Sequence, residues 1–192
     1  MYRFLKAFFT AYFKLLFRIE YRGLENIPEG GGYILCPNHV SAYDPLIIAC
    51  GESVPQCSFL AKEELFKIPV IRHLAKSIDI VPIKRGEGDL GAMKKAIGLI
   101  NDDKILIIFP EGTRSKNGKI GEGKGGVAFI AKRTECLVIP CSINHKPKLF
   151  RKIKVEFRKP MKLKEYIVEK SLEPATKALM NEISAGVEEL NG

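Results

Sequence analysis

The chain has 192 residues, the length of one domain, and its 46% hydrophobic and 28% charged content excludes an intrinsically disordered protein. Lysine and arginine number 31 against 22 acidic residues; the formal charge of +9 suits nucleic acid, anionic lipid or a phosphorylated ligand. Five cysteines without a C-x-x-C pair argue against a disulfide framework or a zinc site and fit a reducing, cytosolic location.

The N-terminal segment, MYRFLKAFFTAYFKLLFR, predicts a mostly apolar helix with a basic ridge. The ridge consists of Arg3, Lys6, Thr10, Lys14 and Arg18. Its cations recur too often for a transmembrane helix, and the segment lacks the uninterrupted apolar core and cleavage site of a signal peptide. We predict an interfacial membrane helix over 1–20 and a single domain over 21–192. A helix that packs its apolar face on the domain is the alternative that periodicity leaves open.

Short apolar runs alternate with helical stretches through the rest of the chain. The predicted strands are 33–36, 57–61, 78–83, 105–109, 137–143 and 153–157. The predicted helices are 45–50, 63–76 with an interruption at Pro69, 89–100, 126–132 and 174–190. This alternation predicts an α/β fold in which helices flank a mostly parallel, mixed sheet. Ligands bind at the carboxyl ends of the strands in such sheets.

A histidine and an aspartate follow the first predicted strand at H-x-x-x-x-D spacing. We expect Asp44 to cap a helix that begins at Pro45 with one carboxylate oxygen, and to accept a hydrogen bond from His39 with the other. A histidine held in this way is a good general base. Ser41 is explained by local hydrogen bonding and Cys36 ends an apolar strand, so the nucleophile is expected to be a substrate hydroxyl. A surface histidine beside a simple helix cap is the alternative.

Several charged residues follow other predicted strands. They are Lys62, Lys84, Arg85, Glu111 and Arg114. Clustered near His39, the cations would bind a phosphate monoester and Glu111 a neighbouring hydroxyl of a polyol; solvated charges at strand ends are the alternative. The glycine-rich stretch 118–126 contains G-x-G-x-x-G but does not directly follow a strand, which argues against nucleotide binding.

Four blocks of sequence, in order, resemble those of the glycerolipid acyltransferases that include 1-acyl-glycerol-3-phosphate acyltransferase. They are NHVSAYDP at 38–45, VPIKR at 81–85, FPEGTRS at 109–115 and VIPC at 138–141. The first and third blocks are specific, whereas the second and fourth are not. The resemblance covers just over half of the chain, and it implies the acyltransferase fold.

The resemblance implies that His39 and Asp44 form a catalytic dyad. It implies that the glycerol phosphate acceptor is bound by Arg85, Glu111, Gly112, Thr113 and Arg114, with Lys62 completing the phosphate site. The implied reaction transfers an acyl group from acyl carrier protein or coenzyme A to the sn-2 hydroxyl of lysophosphatidic acid and yields phosphatidic acid. It needs no metal and no cofactor besides the acyl thioester.

The predicted partners are membrane lipids, lysophosphatidic acid and the acyl thioester. Nucleic acid is not expected, because the body of the chain shows no interleaving of aromatic and basic residues and no recognised motif. The N-terminal helix and the free cysteines predict a location at the cytoplasmic face of a membrane, with peripheral or monotopic attachment. Two other interpretations stay open: an acyltransferase of the same fold that uses glycerol 3-phosphate or another lysophospholipid, and a non-catalytic module that binds anionic lipids.

Overall fold

A computed structural model describes residues 2–67, 80–83 and 90–192, and only the backbone of Lys62, Leu65 and Ile83. The helices are α1 (Tyr2–Leu16), α2 (Asp44–Ala49), α3 (Leu90–Asn101), α4 (Gly126–Thr134) and α5 (Glu173–Asn191). The strands are β1 (Arg18–Arg22), β2 (Tyr33–Pro37), β3 (Cys57–Lys62), β4 (Ile80–Ile83), β5 (Ile105–Ile107), β6 (Leu137–Ile143) and β7 (Lys152–Phe157). Short 3-10 helices span Leu24–Asn26, Glu63–Lys67 and Leu163–Tyr166.

The strands form one sheet in the order β1-β7-β6-β2-β5-β3-β4. The five strands from β6 to β4 run parallel to their neighbours, whereas β7 is antiparallel to β6 and carries β1 parallel to itself. The predicted mixed, mostly parallel α/β sheet is therefore confirmed. Because β2, β5, β3 and β4 are adjacent and parallel, their carboxyl ends meet at one edge of the sheet.

Helices cover both faces of the sheet, and alternate residues of each strand supply the two cores. Tyr33 and Leu35 of β2 join a core that includes residues of α1 and α2. Ile34 and Cys36 join a second core with residues of α3, α4 and α5. The near-continuous apolar runs of the central strands follow from this burial on both sides.

Where the structure describes them, the elements predicted for the body of the chain recur within two residues of their predicted bounds, with two exceptions. The starts of the predicted strand 78–83 and of the predicted helix 89–100 lie outside the described residues. Strand β1, RIEYR, was not predicted, and the domain boundary placed after residue 20 falls inside it. The predicted helix 63–76 begins as the 3-10 helix Glu63–Lys67, and its remainder lies outside the described residues.

Helix α1 has two apolar faces. The inner one packs on the domain, where Phe13 is fully buried. The outer one exposes the large apolar side chains of Phe4, Phe8, Tyr12 and Leu15. Of the predicted basic ridge, Lys6 turns inward and donates to the backbone carbonyls of Gly51 and Val54. The alternative of a helix packed on the domain is therefore confirmed for the inner face, and the membrane prediction now concerns the outer face alone. In the part of the chain that the structure describes, no helix combines the length and apolar character needed to cross a bilayer.

Candidate active site

Two loops at the carboxyl edge of the sheet form the candidate site. One loop follows β2 and carries His39; the other follows the neighbouring strand β5 and carries Glu111. The N–H of Ser115 donates to the carbonyl of His39 at 2.8 Å, which joins the loops directly. The sequence blocks at 38–45 and 109–115 are therefore brought together.

His39 and Asp44 form the predicted pair. His39 Nδ1 lies 2.9 Å from Asp44 Oδ2, the carboxylate is fully buried, and the imidazole is 15% exposed. Because a carboxylate can only accept a hydrogen bond, Nδ1 carries the imidazole proton, and in the neutral ring the lone pair of Nε2 can act as a base. The pair thus has the orientation that general-base chemistry requires.

The prediction that Asp44 caps α2 is wrong. Asp44 is the first residue of α2, no side chain caps that helix, and Oδ2 instead accepts from the N–H groups of Val40 and Ser41 at 2.7 and 2.6 Å. The carboxylate turns back into the tight loop after His39, whose buried amide groups need an acceptor. Oδ1 has no hydrogen-bond partner among the described residues. One oxygen therefore fixes both the loop and the histidine.

The ring of Phe109 packs against one face of the His39 imidazole. Its ring lies over His39 with the ring centroids 3.9 Å apart and the planes 24° from parallel. Stacking between the aromatic planes, together with the Asp44 hydrogen bond, restricts the histidine to one orientation. Phe109 was noticed in the sequence only as part of a motif, because nothing in its spacing shows that its ring covers His39.

Glu111 lies at the site but makes contacts other than those predicted. Its side chain is buried; Oε1 accepts from the N–H of His39 and Oε2 from the N–H of Gly121, both at 2.8 Å. In the described structure the carboxylate therefore joins the His39 loop to the glycine-rich stretch. Gly121 allows this approach because a Cβ there would lie 3.0 Å from Oε2. The hydroxyl contact expected for Glu111 is untested.

Asn38 connects the start of the His39 loop to the end of β6. Its side-chain amide donates to the carbonyl of Ile143 at 3.0 Å and accepts from the N–H of Ile143 at 2.8 Å. The amide thus pairs with both backbone polar groups of Ile143 beyond the end of β2. This contact was missed because it joins positions more than a hundred residues apart in the chain.

The two nucleophile candidates considered in the sequence, Ser41 and Cys36, both have a local structural role. Ser41 Oγ accepts from the N–H of Tyr43 at 3.3 Å within the loop. Cys36 is fully buried in the sheet, and burial raises the pKa of its thiol well above the usual value.

The cations divide into those that the structure describes and those that it does not. Gly112, Thr113 and Arg114 are exposed together on the β5 loop. Lys62 is the last residue of β3, at the same edge of the sheet, and its side chain is not described; Lys84 and Arg85 lie outside the described residues.

Lys124 is a further cation of the site that the sequence interpretation missed. Its backbone N–H donates to the carbonyl of Pro110 at 2.8 Å. A Cβ built on Gly112 would lie 3.2 Å from Lys124 Nζ, so the ammonium group lies against the β5 loop. The signal in the sequence was a lone lysine in a glycine-rich stretch, which gave no reason to place it beside His39.

A mostly apolar cavity of about 220 Å³ adjoins His39. His39, Phe109, Gly112 and Lys124 form part of its wall. The remaining wall comes mainly from aliphatic side chains, among them Leu60, Met93, Ile108, Val127 and Ile130. A base and a cation thus border a space suited to an apolar ligand.

Comparisons with known proteins agree with this arrangement. A family model described as Acyltransferase matches residues 18–144. The chain is 30% identical over 131 residues to the chloroplastic 1-acyl-sn-glycerol-3-phosphate acyltransferase LPAT1 of Arabidopsis thaliana, covering 66% of this chain and 36% of that protein. It is 30% identical over 137 residues to the 1-acyl-sn-glycerol-3-phosphate acyltransferase of Borreliella burgdorferi, covering 70% and 54%.

A solved structure extends the similarity to almost the whole chain. The crystal structure of the 1-acyl-sn-glycerophosphate acyltransferase PlsC from Thermotoga maritima superposes with a TM-score of 0.84 at 30% identity and covers 99% of this chain and 79% of that one. The matches with the two curated relatives span 36% and 54% of those proteins.

Proposed function

Because the chain belongs to the acyltransferase family, we propose that it transfers a fatty acyl group from an acyl thioester to the sn-2 hydroxyl of 1-acyl-glycerol 3-phosphate and so forms phosphatidic acid. The observation that carries the proposal is the 2.9 Å contact between His39 Nδ1 and Asp44 Oδ2 at the mouth of an apolar cavity. The names of the Arabidopsis, Borreliella and Thermotoga relatives support the choice of acceptor.

The proposed chemistry is direct transfer without an acyl-enzyme. His39 Nε2 takes the proton from the acceptor hydroxyl as its oxygen attacks the thioester carbonyl. The tetrahedral intermediate collapses, the carbon–sulfur bond breaks, and the imidazolium returns the proton to the leaving thiolate. Asp44 stabilises the imidazolium in between. The acyl thioester of acyl carrier protein or coenzyme A is the co-substrate, and no further cofactor takes part.

The proposed acceptor site combines the exposed β5 loop with the cations at neighbouring strand ends. Arg114 and Thr113 would bind the phosphate, with Lys62, Lys84 and Arg85 expected to contribute from the ends of β3 and β4. Lys124, which borders the cavity together with His39, would neutralise the charge that develops on the thioester oxygen.

We assign the apolar cavity to the acyl chain of the donor. Its aliphatic wall would shield the methylene groups of the acyl chain from water. Each buried methylene contributes about 0.8 kcal/mol of binding free energy. A chain that ends at the cavity wall places its thioester beside His39. In this proposal the length of the cavity would limit the length of the donor acyl chain.

The proposed location is a membrane surface on the cytoplasmic side. The outer apolar face of α1 supports attachment, because four large apolar side chains on one helix face remain uncovered in the described structure. The net charge of +9 favours a leaflet rich in anionic lipid. The acyl chain of the lysophosphatidic acid acceptor and those of the product belong to this surface.

The test is acyl transfer from a radiolabelled acyl thioester to 1-acyl-glycerol 3-phosphate by the purified full chain in detergent. We expect His39→Ala to lower kcat about a thousandfold, because the general base is lost. Cys36→Ala is the matched control: its thiol is the candidate for an acyl-enzyme, and we expect the rate to stay within about twofold of wild type.

Two results would contradict the proposal. If His39→Ala, shown to be folded by circular dichroism, kept the wild-type rate, the dyad mechanism would be wrong. If wild type formed no phosphatidic acid from either acyl carrier protein or coenzyme A thioesters, the proposed acceptor would be wrong.

A further inference from the structure

The tight turn Lys148–Arg151 between β6 and β7, here called the 148–151 turn, has an unusual surface. Leu149 is 60% exposed and Phe150 is 73% exposed, and neither residue belongs to α1. A leucine and a phenylalanine side by side at the tip of a loop place a large apolar area in water. Two large apolar side chains exposed together at one turn indicate that this surface binds a partner.

The backbone of the turn is also unusual. The N–H of Arg151 donates to the carbonyl of Lys148 at 3.0 Å, which closes the turn, and Phe150 has a φ of 59°. Glycine or asparagine adopts this left-handed conformation at lower cost, and a bulky aromatic residue there is rare. The turn thus carries an exposed phenylalanine at a position where the backbone conformation favours glycine or asparagine.

The 148–151 turn is attached to α1. The N–H of Phe150 donates to the carbonyl of Leu16, at the end of α1, at 2.9 Å. Leu15, which precedes it, is 77% exposed and belongs to the outer apolar face of the helix. The turn therefore adds two apolar side chains at the C-terminal end of that face.

The charges around the turn favour an anionic partner. Lys146, Lys148 and Arg151 are exposed, and within the described residues none of the three forms an ion pair. No acidic residue occurs between Ile143 and Val155. Basic residues around inserted apolar ones are the pattern of a protein surface that enters the headgroup region of an anionic bilayer.

We propose that the 148–151 turn is a second membrane anchor, which inserts Leu149 and Phe150 into an anionic lipid surface beside the outer face of α1. The proposal rests on the membrane attachment proposed above and adds a contact from the opposite part of the chain. A helix lying on a bilayer can still roll about its own axis. A second contact at its end fixes that roll, and with it the direction in which the domain faces.

The two anchors stand next to the candidate active site. Tyr43, in the loop between His39 and Asp44, contacts Phe13 and Phe17 with ring centroids 6.1 and 6.4 Å away. The His39 loop thus lies against α1 near the end that carries the turn. Fixing the roll of the helix therefore fixes how the His39 loop faces the lipid surface.

The chain has no tryptophan, so a single introduced one reports on its own surroundings. We would place it at Phe150, at Phe8 on the outer face of α1, and at Tyr166. Tyr166 is exposed on the 3-10 helix whose Leu163 packs in the core on the opposite face of the sheet. Each variant is mixed with vesicles of equal parts phosphatidylcholine and phosphatidylglycerol, with and without brominated acyl chains.

We expect the emission of Phe150→Trp and Phe8→Trp to shift to the blue and to be quenched by bromine, and that of Tyr166→Trp to stay unchanged. A response from Phe8→Trp without one from Phe150→Trp overturns the second anchor and leaves attachment through α1 standing. If neither Phe8→Trp nor Phe150→Trp responds to the vesicles, the second anchor and the attachment through α1 are both overturned. Neither result touches acyl transfer, which is measured separately with a short-chain acceptor in solution.

A second pair of variants tests the energetic contribution of the turn. We expect Leu149→Ser/Phe150→Ser to weaken binding to these vesicles about tenfold, because two apolar side chains leave the lipid. The matched control, Tyr166→Ser/Val168→Ser, removes two exposed apolar side chains elsewhere and should bind like wild type. Thermal unfolding checks that the turn variant and wild type are both folded. Equal affinity of the two folded proteins for these vesicles would refute the anchor.

Discussion

Three contacts from different parts of the chain fix His39. Asp44 binds Nδ1, the Phe109 ring covers one side of the imidazole, and Glu111 accepts the backbone N–H. Each contact restricts a different freedom: the tautomer, the ring rotation and the position of the loop. In the proposed reaction, a base held in this way would need little reorganisation when the acceptor hydroxyl arrives.

Replacing Glu111 tests whether it positions His39. In Glu111→Gln the neutral side chain turns a donor NH2 towards one of the two amide N–H groups, so one hydrogen bond is lost. We expect kcat to fall about tenfold to a hundredfold and the KM for the acceptor to change little, as measured by steady-state kinetics.

The control is Glu122→Gln, which removes an exposed carboxylate from the same glycine-rich stretch and should leave both constants near wild type. A raised acceptor KM with kcat preserved in Glu111→Gln would mean that Glu111 binds the acceptor hydroxyl, as the sequence pattern suggested.

At the scale of elements, hydrophobic periodicity predicted the helices and strands that depend on the local sequence pattern. Apolar runs in the central strands stand out because both faces are buried, and the strand ends pointed to the His39 and Glu111 loops. Strand β1 was missed because its sequence, RIEYR, has only two apolar residues and three charged ones. A strand at the edge of a sheet can carry this many charges.

Contacts between distant segments could not be predicted in the same way. The sequence shows that Asp44 precedes a proline, which is typical of a cap, but not that the buried loop amides compete for the carboxylate. Likewise it shows Glu111 after a strand and not the Gly121 amide opposite it. Partners of a buried carboxylate depend on the tertiary fold.

Helix α3 supplies an element-scale test through Met93, which lies in the cavity wall. Met93→Phe should shorten the cavity, because an aromatic ring occupies more of it, and Met93→Ala should lengthen it. We expect the preferred donor chain to become shorter by about two methylenes in the first variant and longer in the second, each methylene being worth about 0.8 kcal/mol.

The measurement is competition among acyl thioesters of graded length, with products identified by mass spectrometry. Lys95→Ala, on the exposed side of the same helix, is the control and should keep the wild-type preference. An unchanged preference in both Met93 variants would show that the acyl chain occupies a different space.

For the whole molecule, the proposed membrane attachment has two separate contributions, apolar insertion and charge. In the proposal, the outer face of α1 and the 148–151 turn supply the first, and the net charge of +9 supplies the second. Salt weakens only the charge contribution, because the screening length falls from about 30 Å at 0.01 M to about 10 Å at 0.1 M ionic strength.

We therefore expect wild-type affinity for phosphatidylglycerol-containing vesicles to fall at least about tenfold over that range of salt, as followed by sedimentation. Affinity for pure phosphatidylcholine vesicles should be weaker and should hardly respond to salt. Salt-independent binding to the anionic vesicles would show that the basic surface takes no part.

Strand β1 continues directly from α1, yet it pairs with β7, so that Arg18 lies opposite Lys152. During translation most of the chain must leave the ribosome before β1 finds this partner. Until β7 is available, α1 and β1 lack the strand that places them beside the rest of the sheet. Closure of the β1–β7 pair is therefore a late step of folding, because it joins segments about 130 residues apart in the chain.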